Sequence, residues 1–506
     1  MLKVRYLFPL LLLASAILSL ALPGCKPREE ELQTSGNLEF SADTVKFDTV
    51  FTTLTTITKR LWVHNRNNKG VNVSLVSLEK PVGSSYTLVI NGDLKQTAND
   101  LFIRGQDSLL ILVRAKLPDN GQNTAAKDYV LEEKLNFVTN GNQQHVLLRS
   151  FGQNIYLHEG TYLPCGAVWR NDRPHVLYGT VGVRQNCTLT IRPGTRVYAH
   201  AGGALLVQGT LRVNEPTDFA PTDTVSATNR NIVRFTGDRQ EAQYATAPGQ
   251  WTGIVFDATS HNNLLRYALV QNASIGVLLY NPDNLVSQPD VTIQNSVIRY
   301  ISSSSSFAGA LSSLGKSAGV LSIAGTATIT NTLFSDCYEY ALLGIGGNYN
   351  LNFCTIGNFP ATTAVRKTQS LTVTDAYAVN NKPVSYLPTL SVTNSIVWGS
   401  TDDELYFDNY DKYKAQVTVR NSLLKTQLYG AATDAPDKPG LAAPALTNIV
   451  NQDPQFLRTT KNYYRLNATS PAYKRANPVG TVPGFDLLNL PRATATPSLG
   501  AYESTK

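Results

Sequence analysis

Charged residues are scarce in this chain of 506 residues, since Asp, Glu, Lys and Arg together make up only 16%. No stretch carries a long amphipathic helical pattern, and this absence excludes a fold built mainly from surface helices. Ser, Thr, Asn and Gly are plentiful instead. This composition favours β structure with polar, uncharged faces.

Strongly basic segments are also absent. The formal net charge is +7, which becomes 7 − 2 = +5 without Lys3 and Arg5. No basic run has interleaved aromatic residues, so we predict no nucleic-acid partner. The histidines are scattered, and no Ser-His-Asp grouping or metal-ligand spacing can be read from them. They are His64, His145, His158, His175, His200 and His261.

A six-residue phrase recurs in the second half of the chain. From first to sixth position, it has an apolar residue, any residue, Asn or an aromatic residue, a small residue, any residue, and an apolar residue. The third positions are Tyr267, Asn295, Asn331, Phe353, Asn394 and Asn421, which lie 28, 36, 22, 41 and 27 residues apart. Such spacings, in which each step is one short coil lengthened by an insertion of variable size, are typical of a solenoid.

Each copy predicts the end of one strand, a tight bend and the start of the next strand. Asn tolerates the left-handed backbone conformation at such a bend. Coils stacked about 4.8 Å apart would let one Asn amide bond the next. We therefore predict a structural ladder of Asn295, Asn331, Asn394 and Asn421, interrupted at Tyr267 and Phe353.

The repeat resembles the right-handed parallel β-helix superfamily with the pectate-lyase-like fold, whose members carry an Asn ladder at a two-residue bend. The resemblance covers residues 175–506. The last part, from Asp453-Pro454-Gln455-Phe456 to Leu499-Gly500-Ala501-Tyr502-Glu503, resembles the closing segment of secreted proteins of this type. We expect this segment to cap the last coil and protect its strand edge.

The first 25 residues resemble a bacterial lipoprotein signal. Lys3 and Arg5 precede an apolar run that ends in Leu22-Pro23-Gly24-Cys25. The resemblance implies cleavage before Cys25 and acylation of that residue, which would anchor the chain to a membrane. The acidic cluster Glu29-Glu30-Glu31 resembles the export signal of Bacteroidota-type surface lipoproteins, although a solvated tether is the alternative. These features imply an outer-membrane lipoprotein exposed at the cell surface.

Between the signal and the solenoid, short alternating strands with Asn-Gly turns predict a β-sandwich that resembles bacterial immunoglobulin-like modules. The fold class is therefore all-β, with a β-sandwich followed by a right-handed parallel β-helix. The predicted divisions are 1–24 signal, 25–37 tether, 38–152 sandwich, 153–174 linker, 175–460 β-helix and 461–506 closing segment.

Four cysteines remain beyond Cys25. Cys165 and Cys187 lie 22 residues apart, about one coil, so that a disulfide could join neighbouring coils. Buried thiols are the default interpretation for this pair and for Cys337 and Cys354, which fall in different registers of the repeat. The sequence leaves the two alternatives open.

Enzymes of the resembled fold act on polysaccharides through carboxylates or through calcium held by aspartates. The paired aspartates and Gly-His-Gly turn of its hydrolases are absent here. Asp336 and Glu339, which flank Cys337, are interpreted as structural. The best acidic or calcium-binding cluster is Asp402, Asp403, Glu404, Asp408 and Asp411. A solvated loop is the alternative, so that no cofactor is predicted and Ca²⁺ stays an option.

Aromatic residues form the more promising candidate site. Exposed rings beside Asn and Asp hold the faces of sugars. The candidate glycan-binding residues are Tyr338, Tyr340, Trp398, Tyr406 and Tyr410. Core packing of the same rings is the alternative.

The leading hypothesis is a lipid-anchored, non-catalytic surface protein whose β-helix face binds glycan or another envelope component. A second hypothesis is a polysaccharide lyase or glycoside hydrolase with its site near Asp402–Asp411. A third is a structural or adhesive rod.

Overall fold

The computed structural model describes residues 31–121, 129–218, 231–302, 315–360, 366–379, 382–458, 463–478 and 482–503. The signal segment with Cys25 lies outside these residues. The described chain divides into two compact units, of which the first ends at Gln153 and the second begins at Asn154. The fold is all-β, as predicted.

The first unit is a β-sandwich of two five-stranded sheets. The alternation of apolar and polar residues turns side chains such as Leu61, Val73, Ile111, Phe137 and Leu148 into a shared core. One sheet contains Glu39–Phe40, Lys59–His64, Ser108–Ala115, Tyr86–Ile90 and Asp93–Leu94, in spatial order. The other contains Thr44–Phe51, Asn142–Gln153, Tyr129–Thr139, Val71–Leu78 and Thr97–Ile103.

The second unit is a parallel β-helix with three long sheets. Sheet 1 contains Val168–Trp169, Thr188–Ile191, Thr210–Val213, Asn263–Arg266, Asp290–Gln294, Thr326–Thr330, Gly347–Asn352, Pro388–Thr393 and Val417–Arg420. Sheet 2 contains Tyr156–Glu159, His175–Tyr178, Arg196–Ala199, Val233–Gly237, Ala268–Gln271, Val297–Ile301, Leu333–Cys337, Thr355–Asn358, Ile396–Gly399, Leu423–Leu424 and Ile449–Val450. Sheet 3 contains Thr180–Val183, Ala204–Val207, Gly253–Asp257, Val277–Tyr280, Ala318–Ile323, Tyr340–Ile345, Leu371–Thr374 and Leu405–Asp408.

Shorter elements complete the described chain. Two antiparallel strand pairs are Ala376–Val379 with Lys382–Ser385 and Phe456–Arg458 with Tyr463–Leu466. Short 3-10 helices are Pro216–Asp218, Ala242–Tyr244, Tyr410–Lys412, Lys414–Gln416 and Pro444–Leu446.

The core of the β-helix contains both aliphatic and aromatic side chains, and each copy of the repeated phrase adds one aliphatic side chain to it. The first position of the repeated phrase points inward in every copy, and these side chains pair in register between neighbouring strands of sheet 1. They are Leu265, Ile293, Ile329, Leu351, Val392 and Val419, all buried. Burying each contributes about 1.5–3 kcal/mol, so that stacking of coils, rather than any single coil, stabilises the unit.

The bend of each phrase has the predicted left-handed backbone. The six third positions, from Tyr267 to Asn421, have φ values between 44° and 52°. Asn adopts this conformation at low cost, whereas a bulky residue there is strained by about 1–3 kcal/mol. Burial of the Tyr267 and Phe353 side chains offsets that strain.

Residues 153–174, expected to be a linker, form the first coil instead. Tyr156–Glu159 pairs in parallel with His175–Tyr178, and Val168–Trp169 pairs with Thr188–Ile191. These strands are too short to show a clear alternation, and the Asn phrase is missing from them. A disulfide between Cys165 and Cys187 joins the first coil to the second, so the default interpretation of buried thiols is wrong for this pair.

The Cys165–Cys187 disulfide closes a loop with a sequence separation of 22 residues. In the chain-entropy model this closure stabilises the fold by about 3 kcal/mol. Cys337 and Cys354 are buried free thiols, as expected.

The sequence predicts that the closing segment caps the last coil. The structure shows a wider role for this segment. It lies along the outer face of sheet 2, where Leu487 and Ala501 pack with Val297 and Leu333. Leu466 and Leu499 pack farther along the same face, with a group that includes Ile396 and Leu423. The apolar outer residues of sheet 2 explain the difference, because they must be covered as much as the end of the solenoid.

Candidate functional site

The outer face of sheet 1 is a regular grid of polar, mostly uncharged side chains. Three rows run across the coils in strict register: Asp290, Thr326, Asn348 and Thr389; Thr292, Thr328, Asn350, Ser391 and Thr418; Gln294, Thr330, Asn352, Thr393 and Arg420. Neighbouring coils lie about 4.8 Å apart, and rows about 6.6 Å apart along each strand. Hydrogen-bonding groups therefore repeat at two fixed spacings.

A groove of about 410 Å³ crosses this grid close to the bends. Its lining residues are Gln294, Thr328, Thr330, Asn350, Asn352, Thr393, Asn394, Arg420, Asn421 and Asn477. Asn352 is fixed by its neighbours, since the Thr393 hydroxyl donates to its Oδ1 over 3.1 Å and the Asn394 amide over 3.2 Å. Asn350 and Arg420 are exposed.

The chemistry of the groove suits binding. Amide and hydroxyl groups both donate and accept hydrogen bonds, and Arg420 adds a cation that binds carboxylates or phosphates. Among the described residues that line it, none is a carboxylate or histidine, so the groove contains no general acid and base pair. This surface is not among the predicted sites, although the alternating stretches Thr-Ala-Thr-Ile-Thr at 326–330 and Asn-Tyr-Asn-Leu-Asn at 348–352 are its signal in the sequence.

The bend asparagines lie one above another, but their amides do not form the predicted ladder. The Asn295 amide donates to the Asp486 carbonyl over 3.2 Å, and that of Asn331 to the Phe485 carbonyl over 2.6 Å. The Asn394 amide reaches Asn352 and the Asn477 carbonyl.

The Asn421 amide donates to the Thr447 hydroxyl. Three of the four asparagines thus bind the chain's own closing segment, whose predicted role is to cap the last coil.

The acidic residues at 402–411 are dispersed rather than gathered. Asp403 Oδ1 accepts bonds from the Thr426 hydroxyl and from the amides of Gln427 and Leu428, each 2.8 Å long, and so fixes a turn. Asp408 accepts a 3.0 Å bond from the Thr374 hydroxyl. Asp402 and Asp411 are exposed.

Glu404 is fully buried and binds the buried guanidinium of Arg366 over 2.5 and 2.6 Å. The Ser370 hydroxyl and the Thr401 amide complete its hydrogen bonds. Within the described part of the chain, no group of three or more His, Cys, Asp or Glu residues could hold a metal ion. Asp403 and Asp408 therefore accept structural hydrogen bonds, and Glu404 is a core partner of Arg366.

The candidate aromatic residues lie on different sheets. Tyr340 packs in an apolar cluster on sheet 3, and Tyr338 is half-buried at the end of a sheet 2 strand. Trp398 is half-buried on sheet 2, where the Lys425 ammonium lies 5.5 Å from its ring centroid. Tyr406 also lies on sheet 3, where the strand Leu371–Thr374 separates its strand from that of Tyr340. The candidate rings are thus divided between sheets 2 and 3, and the structure does not gather all five of them on one face.

Tyr406 and Tyr410 do share a smaller cleft of about 250 Å³. Asp411, Asp437 and Lys438 also line it. Tyr406 is 37% exposed, whereas Tyr410 is 6% exposed. This tyrosine cleft has one accessible ring beside charged groups, and it keeps part of the predicted aromatic site.

The histidines, scattered in sequence, have defined partners in space. His158 Nε2 lies 3.0 Å from His175 Nδ1, and both rings stack on Trp169. Burial lowers the pKa of His158 to about 4 and that of His175 to about 3, so both are neutral at pH 7. They line a pocket of about 290 Å³ near the first coil.

A Ser-His-Asp grouping, which the sequence did not reveal, exists at the edge of sheet 1. His261 Nε2 lies 2.7 Å from the Ser287 hydroxyl, and its Nδ1 lies 3.4 Å from Asp290 Oδ2. His261 and Asp290 are 29 residues apart, close to the 28-residue step between Tyr267 and Asn295. This agreement between the residue separation and the length of one coil is the only signal of the grouping in the sequence.

A buried acid lies under the closing segment. Asp336 is 4% exposed and has a left-handed φ of 50°. Burial raises its pKa to about 6. Among the described residues, neither its Oδ2 nor the hydroxyl of Tyr464 has a hydrogen-bond partner. Burial and the nearby Asp336 carboxyl also raise the pKa of Tyr464.

Comparisons with known proteins do not name a family. No family model matches the chain, and no curated protein matches it. One similar solved structure is the ASH / PapD-like domain of human CEP192, at 13% identity over 26% of this chain and 94% of that domain, with a TM-score of 0.17. Another is a family 123 glycoside hydrolase from Clostridium perfringens, at 10% identity over 27% of this chain and 30% of that one, also with a TM-score of 0.17. At these TM-scores the likenesses carry no argument about function.

In the part of the chain that the structure describes, no helix has the length and apolar character needed to cross a membrane.

Proposed function

We propose that this protein is a lipid-anchored surface protein that binds glycan through the groove on the outer face of sheet 1. The observation that carries the proposal is the groove lining, in which amide and hydroxyl groups repeat at the spacing of the coils. A glycan chain presents hydroxyl groups at regular intervals, and a fixed polar grid pairs with them without ordering flexible side chains.

The charge of the groove refines the ligand class. Arg420 is the single charged residue among the described residues of the lining, and it stands at one end of its row. A guanidinium there pairs with a carboxylate, phosphate or sulfate group on the polymer. The preferred ligand is therefore a long, weakly acidic polysaccharide rather than a densely charged one.

A glycan array with the purified chain tests the proposal. Thr328→Ala removes a hydroxyl from the groove and is expected to weaken binding about tenfold, the effect of one lost hydrogen bond of about 1.4 kcal/mol. Thr190→Ala is the matched control, because Thr190 is also half-buried and points outward from the same sheet, outside the groove. Equal loss in both variants, or no binding by the unchanged protein, contradicts the proposal.

The membrane anchor rests on the sequence Leu22-Pro23-Gly24-Cys25. Metabolic labelling with a fatty-acid probe is expected to mark the unchanged protein and to disappear in Cys25→Ala. Retained label in that variant contradicts the anchor. Protease accessibility on whole cells tests exposure at the surface.

The tyrosine cleft favours a second candidate, in which a sugar stacks on Tyr406 beside Asp411. Loss of array signal in Tyr406→Ala, with Thr328→Ala unaffected, would move the glycan site to this cleft. Release of reducing or unsaturated sugars, abolished by Asp403→Asn, would instead support the carboxylate-based enzyme.

A further inference from the structure

We infer that Ser287, His261 and Asp290 form a nucleophilic site that hydrolyses esters. The Ser287 hydroxyl and His261 Nε2 are 2.7 Å apart, and the opposite ring nitrogen faces Asp290 Oδ2 at 3.4 Å. A serine that touches a histidine, which in turn faces a carboxylate, is the arrangement that activates a hydroxyl for acyl transfer.

The carboxylate is held by the backbone, which fixes one end of the grouping. Asp290 Oδ2 accepts a 3.1 Å bond from the amide of Asn262, and its Oδ1 accepts a 3.3 Å bond from the amide of Asn263. Because His261 immediately precedes these residues, the same turn positions the imidazole and its partner. Asp290 faces His261 Nδ1 at 3.4 Å, and its negative charge favours a proton on that nitrogen, which leaves Nε2 able to take the proton of Ser287.

The surroundings of Ser287 suit an acyl substrate. Ser287 is exposed, and the neighbouring Leu285 and Val286 expose 50% and 102% of their surfaces. These side chains offer an apolar shelf for the alkyl part of an acyl group. Among the described hydrogen bonds, none uses the backbone amides of Ser287 or Gln288 as donors, so both are free to bind a carbonyl oxygen.

The reaction balances without a cofactor. As the Ser287 oxygen attacks the ester carbon, its proton passes to His261; the ester's alkoxy C–O bond breaks, and His261 returns the proton to the leaving alcohol. A water molecule then attacks the acyl-serine, His261 takes its proton, and the serine oxygen leaves with that proton. One ester and one water give one acid and one alcohol.

The place of the site indicates its substrate class, and this step rests on the proposed glycan function. Asp290 begins the strand whose last residue, Gln294, lines the groove, so that the two are about 13 Å apart along one strand. Asn348, on the same face, donates to the Gln288 side chain over 3.2 Å. The substrate is therefore an O-acylated polysaccharide that lies across sheet 1.

Labelling with a fluorophosphonate probe tests the nucleophile. The full chain is expected to react at Ser287, and labelling is expected to vanish in Ser287→Ala and to fall about 10²-fold in His261→Gln. Ser287 is exposed, so its replacement leaves the fold intact. Ser400→Ala, which also removes an exposed serine, is the matched control. Absence of labelling, or labelling that persists in Ser287→Ala, overturns the inference.

A second control separates a histidine effect from a folding effect. His200 Nδ1 lies 2.6 Å from Asp238 Oδ2, and a stacked Tyr178 ring covers it in place of a serine. His200→Gln is expected to leave labelling and p-nitrophenyl acetate hydrolysis unchanged. Equal losses in His200→Gln and His261→Gln contradict a specific role for His261.

Deacylation of an acetylated polysaccharide distinguishes the two proposals. Thr328→Ala is expected to slow release of acetate from the polymer while hydrolysis of p-nitrophenyl acetate stays unchanged. If the groove binds glycan but Ser287 never reacts, the esterase inference alone fails. If Ser287 reacts but Thr328→Ala has no effect on the polymer, the proposed groove function fails.

Discussion

The outer faces of sheets 1 and 2 meet at the asparagine bend, but the first is open to solvent and the second is covered. Just before the bend, sheet 1 presents threonine, asparagine and serine to solvent in register. Just after it, sheet 2 presents Val297, Leu333, Ile396 and Leu423, and the closing segment buries them. One repeated phrase thus builds an open polar face and a covered apolar face side by side.

The difference shows how a solenoid separates recognition from stability. The covered face stabilises the folded chain through apolar burial and through a buried network of Arg492, Glu503 and Asn331. The open face contributes little to stability, so its side chains can be chosen for a ligand. Substitutions on the covered face should therefore lower stability, whereas substitutions on the open face should weaken ligand binding and leave stability unchanged.

The largest expected effect is on the covered face, at Arg492. Its guanidinium donates to Asn331 Oδ1 over 2.7 Å and to the Gly500 carbonyl over 2.8 Å, and it lies 3.6 Å from Glu503. Arg492→Met leaves a buried carboxylate without its cation and should lower the free energy of unfolding by about 3–5 kcal/mol. Urea unfolding measures this.

Lys474→Met serves as the control for Arg492→Met, because Lys474 lies in the same segment but is exposed. It should change stability by less than about 0.5 kcal/mol. Similar losses in both variants would show that the closing segment is not locked by the buried network.

The second effect, also on the covered face, depends on pH. The pKa of Asp336 is about 6 in the folded protein and 3.8 ordinarily, so folding favours the protonated acid. The stability it contributes is present below about pH 4 and is lost as pH rises through 6. Asp336→Asn keeps a residue that tolerates the left-handed φ, and it should raise stability at pH 8 by about 3 kcal/mol.

Thermal unfolding at pH 4 and pH 8 compares Asp336→Asn with the unchanged protein. Asp100→Asn is the matched control, since Asp100 has a φ of 53° but is exposed. A gain at pH 4 as large as that at pH 8 would contradict a protonation effect.

The smallest effect on stability is expected on the open face. Asn350 is exposed, so Asn350→Ala should change the free energy of unfolding by less than about 0.5 kcal/mol. Because Asn350 lines the groove, the same variant should weaken glycan binding about tenfold. Calorimetric titration with an array-selected glycan measures binding, and urea unfolding measures stability. A destabilised variant with unchanged binding would reverse the comparison.

The backbone of the β-helix could be predicted because the bend carries its own signal. The recurring Asn and the aliphatic first position specify a left-handed turn and an inward layer, and both are found in register. The sequence prediction does not include the covered face, because its rule allows any residue at the fifth position of the phrase. It is Leu269, Val297, Leu333, Thr355, Ile396 and Leu423, which is apolar in five of six copies.

The sites could not be predicted in the same way, because they join residues from different coils. The partners of Glu404 and Asn331 are Arg366 and Arg492, which are 38 and 161 residues away. Insertions of variable length between coils hide such pairings from any fixed spacing. The exception is His261 with Asp290, whose separation equals about one coil.

Photo-crosslinking with a diazirine-bearing oligosaccharide tests the central claim that the open face of sheet 1 is the binding surface. Peptides that carry Thr328 and Asn350 should be labelled, and an excess of the unmodified glycan should abolish the label. Crosslinks confined to the tyrosine cleft around Tyr406, or to the closing segment over sheet 2, would contradict the account.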